Sequence, residues 1–412
     1  MNMSKSLKSL ISIVSIDFAL GCFLSTNVLF YIEKGYTYKN ISVFEISFML
    51  ALLLFELPTG YLADKLGRKK IILYSTMVRS ISLSLLYFIQ SYHLIIIVMI
   101  MCAFSEALRS GAATALFLSD KSKNEYKYHI RNLSMYTPIA SVSGGIVGAM
   151  FYSFDPSLIW LVSGLSFLIS FILILFFTEE SAESAESAES AESAESAESA
   201  ESAESAESAE SFNTFKNSNL IKGIYTMASI PLLILILDDM IFSGLANFWQ
   251  PILLDDESIF YIIISWTVIS LSSFAGAYIS RYVNENVKQL LIIQSINAAF
   301  VIAISYSDHF IINVFLLSLH IISISVYQPV IYSMINKSID EKYRATYLSV
   351  ISLLTSFGGM TGIFIFALIV DMENLKYALA IMPIILITFN IIIYIFNSIS
   401  SKVKNEACLE SK

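Results

Sequence analysis

Apolar residues occur along this chain in long uninterrupted blocks rather than in alternation with polar ones. Each block is about long enough to cross a hydrocarbon core of ~30 Å as a helix that rises ~1.5 Å per residue. Twelve blocks are present, at 10–32, 41–63, 71–89, 94–118, 133–154, 158–177, 224–254, 259–279, 290–306, 310–335, 347–370 and 377–399. Unbroken apolar sequence also excludes the strands of a membrane barrel, which alternate. The pattern predicts an all-α integral membrane protein with about twelve transmembrane helices.

The basic residues between the blocks predict the orientation of the chain. With the amino terminus placed inside, twenty Lys and Arg residues fall in the inner loops and tails, and only Lys34, Lys39 and Lys376 fall outside. Membrane proteins carry an excess of Lys and Arg in their cytoplasmic loops. We therefore expect a multi-pass protein of the cell (inner, cytoplasmic) membrane with both termini in the cytoplasm.

A tandem Ser-Ala-Glu repeat, ten units from Ser181 to Glu210, separates the first six blocks from the last six. Its side chains are too small or too polar to bury a face, so we interpret it as a solvated spacer, with a regulatory or partner-binding role as the alternative. The repeat predicts two pseudo-symmetric six-helix bundles. The expected parts are a first bundle at 1–178, a cytoplasmic linker at 179–221, a second bundle at 222–399 and a cytoplasmic tail at 400–412.

Composition agrees with a membrane protein and excludes several other classes. The chain is 56% hydrophobic and 14% charged, whereas soluble domains carry about a quarter charged residues. Its net charge of −9 comes from the repeat, because the rest of the chain has 24 acidic against 25 basic residues. Nothing in that balance favours nucleic acid. The three cysteines lack metal or disulfide spacing, and no nucleotide loop is present. We expect no metal, no cofactor and no enzymatic activity.

One loop motif is specific enough to indicate a family. Between the second and third blocks the chain reads Gly60-Tyr-Leu-Ala-Asp64-Lys-Leu-Gly67-Arg68-Lys69-Lys70. This stretch resembles the signature loop of the major facilitator superfamily, with Lys65 where arginine is commoner. The preceding Glu56-Leu-Pro58-Thr59 resembles a bacterial drug- or efflux-like branch. A decayed copy, Gly276 to Arg281 with Ser280 in place of the acid, occupies the equivalent loop of the second half.

The resemblance implies a secondary transporter of small molecules that works by alternating access, without cofactor and as a monomer in the lipid bilayer. It also implies that the loop motif is a conformational latch between states. Glycines allow a tight turn, an acid can face a helix N-terminus, and basic side chains anchor at the inner membrane surface. The plain alternative is that the basic residues only set topology. The motif residues concerned are Gly60, Asp64, Gly67, Arg68 and Lys69.

Charged residues inside the blocks are candidates for function, because a charge at mid-bilayer costs at least ~2.5–3.5 kcal/mol on insertion scales. The resemblance implies that the first, fourth, seventh and tenth helices line a central cavity. Glu106 and Arg109, three residues apart, can pair on one helix face. The candidates for proton coupling or substrate binding are Asp17, Glu56, Glu106, Arg109, Asp238 and Asp239.

Two further expectations concern particular residues. Arg79, in the third block, is expected to be the structural ion-pair partner of a second acid. Asp238 and Asp239 are adjacent, about 100° apart on a helix, so we expect only one of them to face the cavity squarely. At least one of Asp238, Asp239 and Glu106 should be essential for transport driven by a pH gradient.

These observations favour proton-coupled export of small amphipathic molecules, drug-like or peptide-like. The alternatives are a non-transporting membrane sensor or assembly factor on the same fold, or an uptake transporter. The fifth block is rich in glycine, at Gly144, Gly145 and Gly148, but lacks the Gly-Pro pair of drug/proton antiporters. The substrate class and the direction of transport therefore stay open at this point.

Overall fold

The computed structural model describes residues 5–110, 112–118, 126–178, 229–253, 259–338 and 344–410. In these ranges every regular element is helical, which confirms the all-α prediction. The helices of the first half are α1 Lys5–Leu24, α2 Asn27–Glu33, α3 Tyr38–Leu66, α4 Arg68–Phe88, α5 Tyr92–Arg109, α6 Ala112–Leu118, α7 Tyr126–Tyr152 and α8 Leu158–Phe177. Those of the second half are α9 Ser229–Leu253, α10 Ile259–Ile279, α11 Val287–Ser305, α12 Phe310–Ser338, α13 Arg344–Met372 and α14 Leu375–Glu410. The Ser-Ala-Glu repeat lies outside the described residues.

The number of membrane-spanning segments agrees with the sequence. Eleven stretches of the described chain are long and apolar enough to cross a bilayer. Helix α7, with 27 residues, has the length but a lower hydropathy, because glycine and hydroxyl side chains replace part of its apolar surface. Together they confirm about twelve transmembrane helices.

Two predicted blocks are interrupted. The block 10–32 is divided into α1 and α2 at Ser25 and Thr26, and the block 94–118 ends its first helix, α5, before Ser110. At the first break the Ser25 hydroxyl donates to the carbonyl oxygen of Gly145 at 3.1 Å. Hydroxyl side chains offer the backbone alternatives to helical hydrogen bonds. A prediction from hydropathy alone cannot detect such a break, because the residues around it are still mostly apolar. Helix α14 also continues to Glu410, through the residues expected to form the tail.

Contacts group the helices into two compact units. Among the described residues, the first comprises 5–178 with 259–267, and the second comprises 229–253 with 268–410. In the first unit α1 packs on α7 and α8, and α4 packs on α5 and α8. In the second unit α9 packs on α13, and α11 packs on α12 and α14. The bundle boundaries drawn at the repeat stay a prediction.

Glycines allow two helix pairs to approach backbone to backbone. A Cβ at Gly148 would lie 1.8 Å from the carbonyl oxygen of Cys22, so α7 packs on α1 only because the side chain is absent there. A Cβ at Gly362 would lie 1.8 Å from the carbonyl oxygen of Met240, which places α13 equally close to α9. Small residues drive helix association in lipid by permitting such contacts. The glycine-rich fifth block is therefore a packing surface.

Candidate functional site

A buried arginine anchors the polar centre of the first unit. Arg79, on α4, is 4% exposed, and its Nη2 donates to Glu106 Oε2 at 3.0 Å. Its Nη1 donates to the carbonyl oxygen of Cys102 at 2.8 Å. Its guanidinium also lies over the ring of Phe48, 5.6 Å from the centroid. These contacts fix the side chain between α3, α4 and α5.

Glu106 is shared by two arginines. Besides Arg79, Arg109 donates from Nε to Glu106 Oε2 at 3.2 Å and from Nη2 to Glu106 Oε1. Arg79 thus forms an ion pair with Glu106, and the second acid within its electrostatic reach is Glu45. Both guanidinia bond the same carboxylate because α4 and α5 pack side by side. Of the three acids named for coupling, Glu106 is thus the one with the most positive surroundings. Its role in transport stays a prediction.

Asp17 lies on α1 within the electrostatic reach of Arg109 and Glu106. It is half-buried and accepts a hydrogen bond from Thr137 Oγ1 on α7 at 3.1 Å. We call Asp17, Arg79, Glu106 and Arg109 the first-unit cluster. Sequence reasoning missed Glu45, a half-buried acid on α3 whose charge interacts with that of Arg79. An acid inside the apolar block 41–63 was the signal that would have identified it.

The second unit holds a buried acid with uncharged partners. Asp238, on α9, is 2% exposed. Its Oδ1 accepts from the hydroxyl of Tyr327 on α12 and from Gln294 Nε2 on α11, the latter at 3.2 Å. Gln294 Nε2 also lies 3.3 Å from the carbonyl oxygen of Ile234, to which it donates. Asp238 is thus held by donors from two neighbouring helices.

Two more buried polar residues continue this arrangement. Asn297 Oδ1 lies 2.8 Å from His320 Nδ1, and the edge of the His320 ring meets Phe242, with centroids 5.0 Å apart. The Asn297 amide also lies beside the Tyr327 hydroxyl, without hydrogen-bond geometry. We call Asp238, Gln294, Asn297, His320 and Tyr327 the second-unit cluster. Sequence reasoning missed Gln294, Asn297 and Tyr327, since uncharged polar residues in apolar blocks are common.

Asp239 differs from its neighbour. It is half-buried, and no described residue gives it a hydrogen bond or an ion pair. The described groups that interact with it electrostatically are Asp238, Tyr327 and Tyr332. The two adjacent acids therefore occupy different environments, one held by donors and one without them.

The loop motif forms the turn between α3 and α4. Gly67 has φ of 84°, a left-handed conformation that favours glycine, and Arg68 begins α4. Lys69 Nζ donates to the carbonyl oxygens of Leu175 at 3.0 Å and Thr178 at 2.7 Å. These carbonyls lie at the end of α8, where helices leave acceptors unpaired and favour cations. Lys69 therefore fastens α8 to the motif.

The remaining motif residues are less informative. Glu56 and Gly60 lie exposed on α3, and a Cβ at Gly60 would meet no atom within 4 Å. The side chain of Asp64 lies outside what the structure describes. The latch role of these residues stays a prediction.

In the second half, an acid, Glu285, follows the decayed copy of the motif by a few residues. Ser280 Oγ donates to the carbonyl oxygen of Ala277, within its own turn. Glu285, in the following loop, accepts from Lys337 Nζ at 2.6 Å and from Ser333 Oγ at 2.8 Å, both on α12. These bonds hold the pKa of Glu285 below its usual range. Glu285 thus connects the loop after the decayed copy to α12.

The part of the chain that the structure describes brings no three His, Cys, Asp or Glu side chains together as a metal ion would require. The two clusters are instead hydrogen-bonded and ion-paired groups inside helical units. Such groups suit binding, proton uptake or mechanical linkage between helices.

Comparisons with known proteins show which family and fold this chain has. Residues 10–362 match the family model described as Major Facilitator Superfamily. The nucleoside transporter NupG has a similar structure, with a TM-score of 0.72 at 14% identity, covering 95% of this chain and 99% of that one. So has a D-xylose-proton symporter, with a TM-score of 0.69 at 9% identity, covering 93% and 96%. No curated protein sequence matches this chain.

A third structure is similar as well. It is a bacterial homologue of the human lysosomal transporter Spinster in an inward-facing and unoccupied conformation, with a TM-score of 0.70 at 12% identity, covering 94% of each chain. At these identities the likeness concerns the fold.

Proposed function

We propose, because this chain belongs to the major facilitator superfamily, that it is a proton-coupled exporter of small amphipathic molecules, drug-like or peptide-like. The chain is a multi-pass membrane transporter rather than an enzyme. Our proposal adds the coupling ion, the direction and the substrate class. It also places the protein in the cytoplasmic membrane, with both termini inside and as a monomer.

Asp239 carries this proposal. It is a half-buried acid inside a membrane helix, without a hydrogen-bond or ion-pair partner among the described residues. An acid in that position is costly and persists where a task offsets the cost. Asp238, next to it, is occupied by Tyr327 and Gln294, and Glu106 by two arginines. We therefore assign the exchangeable proton to Asp239 and a positioning role to Asp238.

Symport of a small hydroxylated molecule is the second candidate. Structures similar to this chain include proteins described as a nucleoside transporter and a D-xylose-proton symporter. Both candidates use the same fold, and in both we assign the exchangeable proton to Asp239. They differ in the direction in which a proton gradient moves the substrate.

Membrane vesicles of both orientations test the two candidates together. We expect ethidium or dialanine to accumulate in everted vesicles with an acidic interior, because an antiporter exchanges internal protons for external substrate. Uridine or xylose accumulating in right-side-out vesicles with an acidic exterior would instead establish symport. If none of these probes moves against its gradient in either preparation, the proposal is rejected.

Variants of the acid pair test the assignment of the proton. Asp239→Asn should abolish accumulation and retain exchange of labelled probe at equal pH, since asparagine imitates the protonated acid. Asp238→Asn keeps an oxygen that accepts from Tyr327 and Gln294, so it should retain most of the accumulation. Asp308→Asn, an exposed acid in the same unit, is the matched control. Wild-type accumulation by Asp239→Asn would show that the proton is carried elsewhere.

A further inference from the structure

Two polar atoms of the second-unit cluster have no hydrogen-bond partner among the described residues. They are Gln294 Oε1 and Asn297 Nδ2, and both residues are 0% exposed. Buried polar atoms of folded proteins are nearly always paired, with protein or with ordered water. Two such atoms in one cluster therefore indicate a group that pairs with both.

Their positions put the two atoms on the same side of one helix. Gln294 and Asn297 are three residues apart on α11, a spacing that makes side chains neighbours on a helix face. Gln294 reaches Asp238 on α9, and Asn297 reaches His320 on α12. The two amides therefore lie among α9, α11 and α12, inside one unit.

The hydrogen bonds already made decide which chemistry fits that space. Gln294 is oriented by two acceptors, Ile234 O and Asp238 Oδ1, both of which face its nitrogen. Its oxygen therefore needs a donor. The tautomer of His320 decides whether Asn297 turns its nitrogen or its oxygen to the same space.

Water satisfies both orientations of Asn297, whereas a bare cation or anion does not. Water donates to Gln294 Oε1 and either accepts from or donates to Asn297. A sodium ion would meet the amide hydrogens if Asn297 presents nitrogen, and an anion would meet the oxygen of Gln294. A site that is polar, enclosed and provided with several partners is the kind that holds buried water.

We propose that one buried water molecule binds between Gln294 Oε1 and the Asn297 amide as a constant part of the second unit. It joins the Asp238–Gln294 pair and the Asn297–His320 pair, whose own bonds connect α11 to α9 and to α12, into one continuous hydrogen-bonded chain. This site is independent of whether Asp239 carries a proton.

A double-variant cycle on the full chain detects the bridging molecule. Gln294 and Asn297 donate to and accept from other residues, not each other. Their indirect link through Tyr327 and Asp238 is removed by making the cycle in a Tyr327→Phe background. We expect Gln294→Leu and Asn297→Leu each to lower the apparent Tm of the detergent-solubilised protein. The double variant should lose less than the sum of the two shifts, because either single change already deprives the water of a partner.

Asn313 provides the matched control. It is a 5% exposed asparagine of the same unit, on α12, whose Oδ1 also lacks a partner among the described residues and whose Nδ2 donates to the Ser307 carbonyl oxygen. Shifts of Gln294→Leu and Asn313→Leu should add. If the Gln294 and Asn297 shifts add as well, the shared water is disproved.

An experimental map of the unaltered protein gives a second, variant-free test. We expect a density peak within about 3 Å of Gln294 Oε1 and of the Asn297 amide, the ordinary hydrogen-bond distance. Resolved side chains with no peak between them would overturn the proposal. So would a Tm of the wild-type protein that rises in sodium chloride but not in choline chloride and loses that response in Gln294→Leu, since the site would then hold a cation.

Discussion

At the residue scale, the acids inside the membrane helices have different kinds of partner in the two units. Glu106 has two guanidinia as partners, so its charge is compensated inside the first unit. Asp238 has uncharged partners, the Tyr327 hydroxyl and side-chain amides, and Asp239 has no hydrogen-bond or ion-pair partner among the described residues. Removing the acid from the first arrangement leaves two unpaired charges, whereas removing Asp238 from the second leaves unpaired neutral dipoles. The consequences for stability therefore differ.

Glu106→Gln should destabilise the first unit rather than change its chemistry. Both arginines would lose their carboxylate, and breaking a buried ion pair by removing one partner costs about 3 kcal/mol. We expect a lower apparent Tm and less protein in the membrane, measured by fluorescence-detected chromatography. Glu56→Gln, at an exposed position of α3, is the control. A Glu106→Gln variant as stable as wild type would mean that the arginines find other acceptors.

The pair of Glu285 and Lys337 predicts a pH effect. Hydrogen bonds from Lys337 and Ser333 lower the pKa of Glu285, so the pair stabilises the folded state above the usual glutamate pKa of about 4.3. This contribution is lost as the pH falls through the lowered value. The Tm difference between wild type and Glu285→Gln should therefore shrink from neutral pH to below pH ~4. Glu373→Gln, an exposed glutamate of the same unit, should show no such trend of comparable size.

At the element scale, close helix pairs determine which substitutions the fold tolerates. Helices α1 and α7, and likewise α9 and α13, pack with glycine against backbone oxygen. Overpacking a close contact costs up to about 3 kcal/mol, occasionally more. A backbone oxygen cannot relieve such a clash by changing rotamer, as a side chain can. The first span adds a break at Ser25 and Thr26, fixed to α7 by a hydroxyl. The α1–α7 contact therefore tolerates little added volume.

Gly148→Val should force α1 and α7 apart. The Cβ would lie 1.8 Å from the carbonyl oxygen of Cys22, so we expect about 3 kcal/mol of destabilisation, seen as a large fall in Tm or failure to accumulate. Gly60→Ala, where a Cβ meets nothing within 4 Å, should leave the Tm nearly unchanged. Equal effects of the two substitutions would contradict the packing argument.

At the scale of the whole molecule, the Ser-Ala-Glu repeat is the part of the chain with the simplest sequence. Ten identical Ser-Ala-Glu units provide length and negative charge. The entropy of closing a flexible link changes slowly with length, by about 0.6 kcal/mol per doubling. Function that depends on the repeat as a spacer should tolerate large changes in unit number.

Shortening the repeat from ten units to three should leave vesicle accumulation close to wild type, at equal protein level. Replacing all ten units by an uncharged Ser-Ala-Gln repeat of the same length separates charge from length. Loss of accumulation in the short version alone would indicate a length requirement. Loss in the uncharged version would indicate that the glutamates bind a partner or another part of the chain.

The sequence by itself determined the class of this protein. Blocks of about twenty apolar residues cross a bilayer only as helices, since lipid offers no partner for backbone polar groups. The loop motif from Gly60 to Lys70 indicated the superfamily, because its glycines and charges occur together in one register. Charged residues in apolar blocks were identifiable as candidates because inserting each of them into lipid costs free energy. These conclusions depend on local sequence and the surrounding solvent alone.

Only the tertiary structure decided which side chains meet. Arg79 and Arg109 are thirty residues apart in sequence, and the packing of α4 on α5 brings both to Glu106. Gln294, Asn297 and Tyr327 carry no charge, so no transfer cost made them stand out, yet they surround Asp238 and His320. The difference between Asp238 and Asp239 likewise arises from which helix each one faces. Hydropathy is a sum along the chain, whereas a polar cluster depends on distances between helices.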